Sequence, residues 1–139
     1  MTGAGARASK AGNRFGPERR IKRRSEFLRV QEAGQRATTP HFVLLVARRE
    51  EDGPSRLGIV VTRKVGSAVQ RNRIKRVCRE CFRLWSKDTP LVPDGIDLVV
   101  IARERAHELD LAEVRAEWEK AHAVLGRRCK TALGAGGEG

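Results

Sequence analysis

Tyrosine is absent from this chain of 139 residues, and its aromatic complement, four Phe and two Trp, is 4% of the total. A broad stacking platform for nucleic-acid bases is thereby excluded, because such surfaces set successive bases on successive rings. No run of about 18 apolar residues occurs, which removes a transmembrane helix. The N-terminal stretch is basic and lacks the apolar segment of a secretory signal, so the chain is expected in the cytoplasm with no membrane partner. Three Cys is an odd number; without an export signal it argues for reduced thiols rather than a disulfide framework. Acid is also short: 17 Asp+Glu face 29 Lys+Arg, a formal charge of +12. In a cytoplasmic chain that excess points to nucleic acid first and an anionic membrane surface second.

The charge that is present is unevenly spread. Residues 1–30 hold nine basic and two acidic residues, 31–62 four of each, 63–87 nine and one, and 88–139 seven and ten. The positive field therefore has two sources, and the last third is mildly acidic. Residues 1–20, rich in Gly, Ala and Arg and without periodicity, read as a flexible basic arm. Residues 131–139 read as a disordered tail. Between them, residues 21–130 form one domain, and the chain's hydrophobic content of 40% is enough for one modest core.

Hydrophobic periodicity supplies the elements. Ser25 as N-cap, Phe27 and Val30 on one face and Gly34 just beyond the end predict a short helix over 25–33. HFVLLVA, from His41 to Ala47, and RLGIVVTR, from Arg56 to Arg63, are strand-length runs separated by a polar turn segment, and are expected to pair as an antiparallel hairpin. GIDLVVIA, from Gly95 to Ala102, reads as a strand buried on both faces. Asp110 followed by Glu113 is a capping box that starts a last helix running to about residue 128. The expected order is αββαβα, an α+β sandwich in which helices pack on one mixed sheet.

The segment from about Val69 to Trp85 is the most informative. Ile74, Val77, Cys78, Cys81, Phe82 and Trp85 recur at helical spacing and define an apolar stripe. At about 100° per residue, Asn72, Arg76, Arg79, Arg83 and Lys87 fall on the opposite side, with Arg73 and Lys75 on the flanks. A solvated face normally mixes signs, whereas here Glu80 stands alone among nine basic residues of 63–87. Guanidinium groups at this density suit phosphate oxygens, which they grip with two parallel hydrogen bonds. The preceding Thr62 to Val69 segment resembles a P-loop only superficially, since the Gly-x-x-x-x-Gly-Lys-Ser/Thr pattern is missing.

The stretch LGIVVTRKVGSAVQRNRIKRVCRE, Leu57 to Glu80, with Arg71-Asn72-Arg73 at its centre, resembles the signature of the bacterial ribonuclease P protein subunit. The likeness extends through Arg23-Arg24-Ser25-Glu26-Phe27 and the strand ending Ile101-Ala102-Arg103, over about residues 19–130. It implies a left-handed crossover between two parallel strands through the basic helix, against the general preference for the right hand. It also implies two partners, a large catalytic RNA and precursor tRNA with its 5′ leader; no obligate protein partner is evident from the sequence. The positions that match the family's RNA-facing helix are Arg71, Asn72, Arg73, Lys75, Arg76, Arg79 and Arg83; those that match its leader cleft are Phe27, Arg63 and Lys64. Two positions that are often aromatic in relatives are Leu45 and Gln31 here, so stacking on the leader falls to Phe27 and cation contacts.

Other chemistry finds less support. His41, His107 and His122 are far apart in sequence and read as ordinary histidines rather than a general base. No catalytic residue is assigned to the chain, and the cleavage chemistry, with Mg2+ held chiefly by RNA, is expected in the RNA subunit. Cys78 and Cys81 lie on the apolar stripe, and Cys129 is alone, so buried small hydrophobes fit better than zinc ligands. Trp85 and Trp118 read as core. A protein-only nuclease and a ribosomal protein are the competing readings, and neither requires Arg-Asn-Arg at a strand-to-helix crossing.

Overall fold

The computed structural model describes residues 19–85 and 88–138. Its elements are helix α1 (Arg24–Ala33), strands β1 (Gln35–Thr38), β2 (Phe42–Arg48) and β3 (Arg56–Val60), helix α2 (Ala68–Leu84), strand β4 (Ile96–Ala102) and helix α3 (Leu111–Glu138). Short 3-10 turns at Arg63–Val65 and Ala106–Glu108 precede α2 and α3. No helix among the described residues is long and apolar enough to cross a membrane.

The four strands form one mixed sheet in the order β1-β2-β4-β3. The expected hairpin of the second and third strands is corrected: β4 lies between them, antiparallel to β2 with Leu44 opposite Val100, and parallel to β3 with Leu57 opposite Leu98. The reason is burial. Ile96, Leu98, Val99 and Val100 are all fully covered, and a strand apolar on both faces belongs in the sheet interior, where both edges are paired. The parallel β3–α2–β4 crossover is the unit for which the family resemblance implies the left hand. β1, four residues with only Ala37 buried, has no counterpart in the expected αββαβα order, which becomes αβββαβα.

Side chains alternate across the sheet. Phe42, Leu44 and Val46 of β2 with Ile96, Leu98, Val100 and Ala102 of β4 meet α2 and α3, in a core completed by Trp118, Leu125 and Ile74. Leu45 and Ala47 with Val99 face the other way, under Ile21 and Val30. There α1 is the covering element.

Helix ends follow local chemistry. Ser67 caps α2: its hydroxyl accepts from the Gln70 backbone N–H, and the Gln70 side chain accepts from the Ser67 N–H. Asp110 and Glu113 form the same reciprocal pair at α3. At α1 the cap is Arg23, not Ser25, and it makes no side-chain capping bond. Gly34 is extended, φ −74°, rather than left-handed; it is glycine because a Cβ would overlap the Val30 carbonyl oxygen. Helix α3 continues beyond 128, through residues expected as a tail, and Ala132 is buried. Most of the expected arm, residues 1–18, and Lys87 lie outside the described residues. Arg19 and Arg20 are anchored: Arg19 donates to the Ser55 carbonyl and hydroxyl at 2.9 and 2.8 Å, and Arg20 bridges to Leu57.

Candidate nucleic-acid interface

Helix α2 buries Ile74, Cys78, Cys81 and Phe82, so its other side is turned outward as the wheel predicts. Asn72 and Arg76 are exposed, and Arg71, Arg73, Lys75, Arg79 and Arg83 are half-buried. Their charges are not equivalent. Arg73 donates from Nε and Nη2 to the carbonyls of His107 and Leu109, both at 3.1 Å, tying α2 to the 3-10 turn before α3. That is a structural bond, and its hint in the sequence is the flank position of Arg73 beside Ile74. Arg71 uses Nε to reach the Gly66 carbonyl at 3.2 Å. Arg83 pairs with Glu80 at 2.6 Å, which raises the arginine's affinity for its proton and holds the Glu80 carboxyl below its ordinary range. Burial, with Arg20 nearby, lowers that of Arg79. Exposed Arg76 and Asn72 are therefore the most available for an external phosphate. Arg63 and Lys64 stand exposed on the turn ahead of the helix.

A groove of about 510 Å³ runs between α1 and the β3 edge, lined by Phe27, Leu28, Gln31, Ile59, Val60 and Val61, with Lys22, Arg24 and Lys75 at its rim. The Phe27 ring packs against the Leu45 and Val99 cluster and lies over Gly58, where an added Cβ would come within 2.5 Å of it. Strand β3 carries a glycine there because the ring occupies the space of a side chain. Of the sequence-derived cleft residues Phe27 is in the groove, while Arg63 and Lys64 do not line it. Lys75, assigned by resemblance to the RNA-facing helix, lies at its rim and links the two regions. Gln31 lines the groove, whereas Leu45 is buried beneath α1.

The residues weighed for other chemistry are dispersed or buried. His41 bonds Glu117 at 2.8 Å, and His122 approaches the Pro90 carbonyl and packs edge-on against Trp85. His107 sits in the turn that accepts Arg73. Burial pushes all three thiols up, Cys81 and Cys129 to about 12, far from the thiolate that metal ligation needs. Among the described residues no cluster of three or more His, Cys, Asp or Glu could hold a metal ion. Trp85 and Trp118 are core.

One cluster escaped the sequence reading. Asp97 of β4 is fully buried, and its oxygens accept from Arg56 Nε and Nη2, each at 2.8 Å, and from Arg29 Nη2 at 2.6 Å. Arg49 Nε lies 3.9 Å away. The bond to Asp97 holds the Arg56 proton more tightly than usual. The signal was a lone acid in an apolar strand, which requires cationic partners.

Comparison with known proteins agrees with this architecture. The profile of the family described as Ribonuclease P matches residues 15–126. The ribonuclease P protein component of Gluconacetobacter diazotrophicus is 44% identical over 85 residues, covering 61% of this chain and 72% of that protein. The solved RNase P protein from Thermotoga maritima superposes with a TM-score of 0.63 at 37% identity, over 78% of this chain and 96% of that one. That from Staphylococcus aureus gives 0.66 at 31% identity, over 76% and 94%. With the family profile spanning most of its length and the fold shared, the chain belongs to the ribonuclease P protein family.

Proposed function

We propose that this ribonuclease P protein binds the catalytic RNA through the outer face of α2 and receives the 5′ leader of precursor tRNA in the α1 groove, promoting 5′ maturation without supplying a catalytic group. The observation that carries the reading is the meeting of two chemistries at Lys75: a cationic helix face on one side, and on the other a groove with an apolar floor and basic rim. A single strand of RNA has the matching form, with bases for Phe27, Ile59 and Val61 and phosphates for Lys22, Arg24 and Lys75. Arg76, with Asn72, Arg71, Arg79 and the turn residues Arg63 and Lys64, offers the catalytic RNA a phosphate-directed surface; Arg83 joins it when phosphate displaces Glu80. Arg73 contributes by holding α2 in place.

No protein site for Mg2+ is proposed, since the described donors do not converge; the metal ions and the bond-breaking step are assigned to the RNA. The cytoplasm is the proposed compartment. Neutralising phosphates where two RNAs crowd together releases counterions, so binding should weaken steeply with salt. The direct test is reconstitution with a bacterial ribonuclease P RNA at low magnesium. The expected result is rescue of precursor tRNA cleavage by the added protein; site-specific cleavage by the protein alone would overturn the assignment of chemistry to RNA.

A further inference from the structure

Asp97 is the one carboxylate among the described residues that is wholly buried. It stands on the α1 side of β4, in the column it shares with Val99 and Ile101. A buried carboxylate is costly unless its oxygens are filled with good geometry, and here they are filled from two other elements. Arg56 of β3 grips both oxygens, which fixes direction as well as distance. Arg29 of α1 adds Nη2 to one of them and Nη1 to the Arg48 carbonyl at 2.9 Å. Arg56 also reaches Glu26 of α1 at 3.2 Å. Helix α1 is thus bolted to the sheet through Glu26 and Arg29, and Phe27 lies on the turn between the bolts. The apolar seat beneath α1 is small, and apolar packing alone is non-directional. The Phe27 ring has little latitude, because it rests on the Gly58 backbone.

We propose that Asp97 is a positioning residue for the leader groove: through Arg29 and Arg56 it sets the seating of α1, and hence the gap between Phe27 and the Ile59 to Val61 edge. The proposal rests on the leader reading above. Asp97 touches no ligand and acts through α1.

The test uses the reconstituted holoenzyme and two precursor tRNAs, one with a long leader and one with a single leader nucleotide, and reads the ratio of their dissociation constants. Asp97→Asn and Arg29→Met should each shrink that ratio by about tenfold, the weight of one base stacked on one ring. Binding of the short-leader precursor should stay as in the wild type. Arg29→Lys, which keeps the charge on Asp97 but not the planar fork, should restore most of the ratio. Arg29 is a quarter exposed, and its loss leaves the Arg56–Asp97 pair intact, so this arm reports even where Asp97→Asn fails to fold. A wild-type ratio in Arg29→Met, or equal losses for both precursors, overturns the proposal. Phe27→Ala separates the two levels. If it loses leader discrimination while the Arg29 and Asp97 variants keep it, only the positioning role falls; if it too keeps the wild-type ratio, the leader reading falls with it.

Discussion

On the face of the sheet that carries Leu44, Val46, Leu98 and Val100, helices α2 and α3 close a core of twenty-three buried hydrophobic residues among those described; on the opposite face the cluster has five, Val30 of α1 and Ile21 over Leu45, Ala47 and Val99. The first face is thickly covered and continuous. The second is thin, is pinned by arginines on Asp97, and gives way along β3 to the half-apolar groove. The thick face carries most of the packed core, and the thinly covered face is the one to which the proposed function assigns the leader strand. A similar division runs through the basic residues: Arg29, Arg56 and Arg73 are committed to protein acceptors, while Arg63, Lys64 and Arg76 stand exposed. The charge of +12 overstates what a polyanion meets.

The contrast breaks most sharply at Trp118, fully buried and edge-on to Phe42 at 5.7 Å. Trp118→Ala should cost about 3–5 kcal/mol of folding stability, as a large cavity in a packed core does. Urea unfolding measures it, and RNA affinity per folded molecule should not change. Phe27→Ala should show the reverse balance. Half-buried at the groove, Phe27 should cost less than Trp118 in stability while removing about 1–3 kcal/mol of leader-dependent affinity. A stability loss as large as that of Trp118→Ala would mean that the thin face is as much core as the thick one.

How far the sequence foretold this division depends on the element. The two-faced α2 was legible because its apolar spacing and its unmixed charge are both local patterns, and the capping boxes at Ser67 and Asp110 likewise lie within one turn. Strand order was not legible. Nothing in HFVLLVA or RLGIVVTR says that β4 will come between them, since apolar content shows that a strand is buried but not which neighbour buries it. β1 was missed because QRAT has no alternation beyond Ala37. The groove was half legible: resemblance brought Phe27 to it, whereas its rim joins Lys22 and Arg24 to Lys75, some fifty residues further along the chain. Asp97 shows a tertiary demand overriding an otherwise apolar strand pattern.

Arg76 and Arg73 sharpen the comparison among the cations. Arg76→Ala should weaken RNA binding regardless of leader and reduce the steepness of the salt dependence by about one counterion. Arg73→Ala should instead lower stability by about 1–3 kcal/mol, because the His107 and Leu109 carbonyls lose their donor. Any flattening of the salt slope should be smaller than for Arg76→Ala. Binding isotherms across a salt series, paired with urea unfolding, separate the two. If the slopes change equally, the carbonyl bonds do not divert Arg73 from the RNA.

The smallest expected effect is at the edge of the thick face, where Glu117 of α3 accepts from the His41 backbone N–H at 2.7 Å and pairs with its ring. Burial alone would push the Glu117 carboxyl up, but bonds from Thr39 and His41 outweigh it and hold the group below its ordinary value of 4.5. A depressed carboxylate stabilises the fold at pH above the unfolded value, and the contribution disappears as pH falls through the folded one. Glu117→Gln should therefore be less stable than the wild type at neutral pH, with the gap closing below about pH 4.5 as the wild-type carboxylate takes up its proton. Urea midpoints across that range check it, and a gap that stayed constant with pH would show that the Glu117 contacts act by shape rather than charge. Because neither His41 nor Glu117 lines the groove, leader discrimination at neutral pH should be untouched, which makes Glu117→Gln the control for every effect claimed on the thin face.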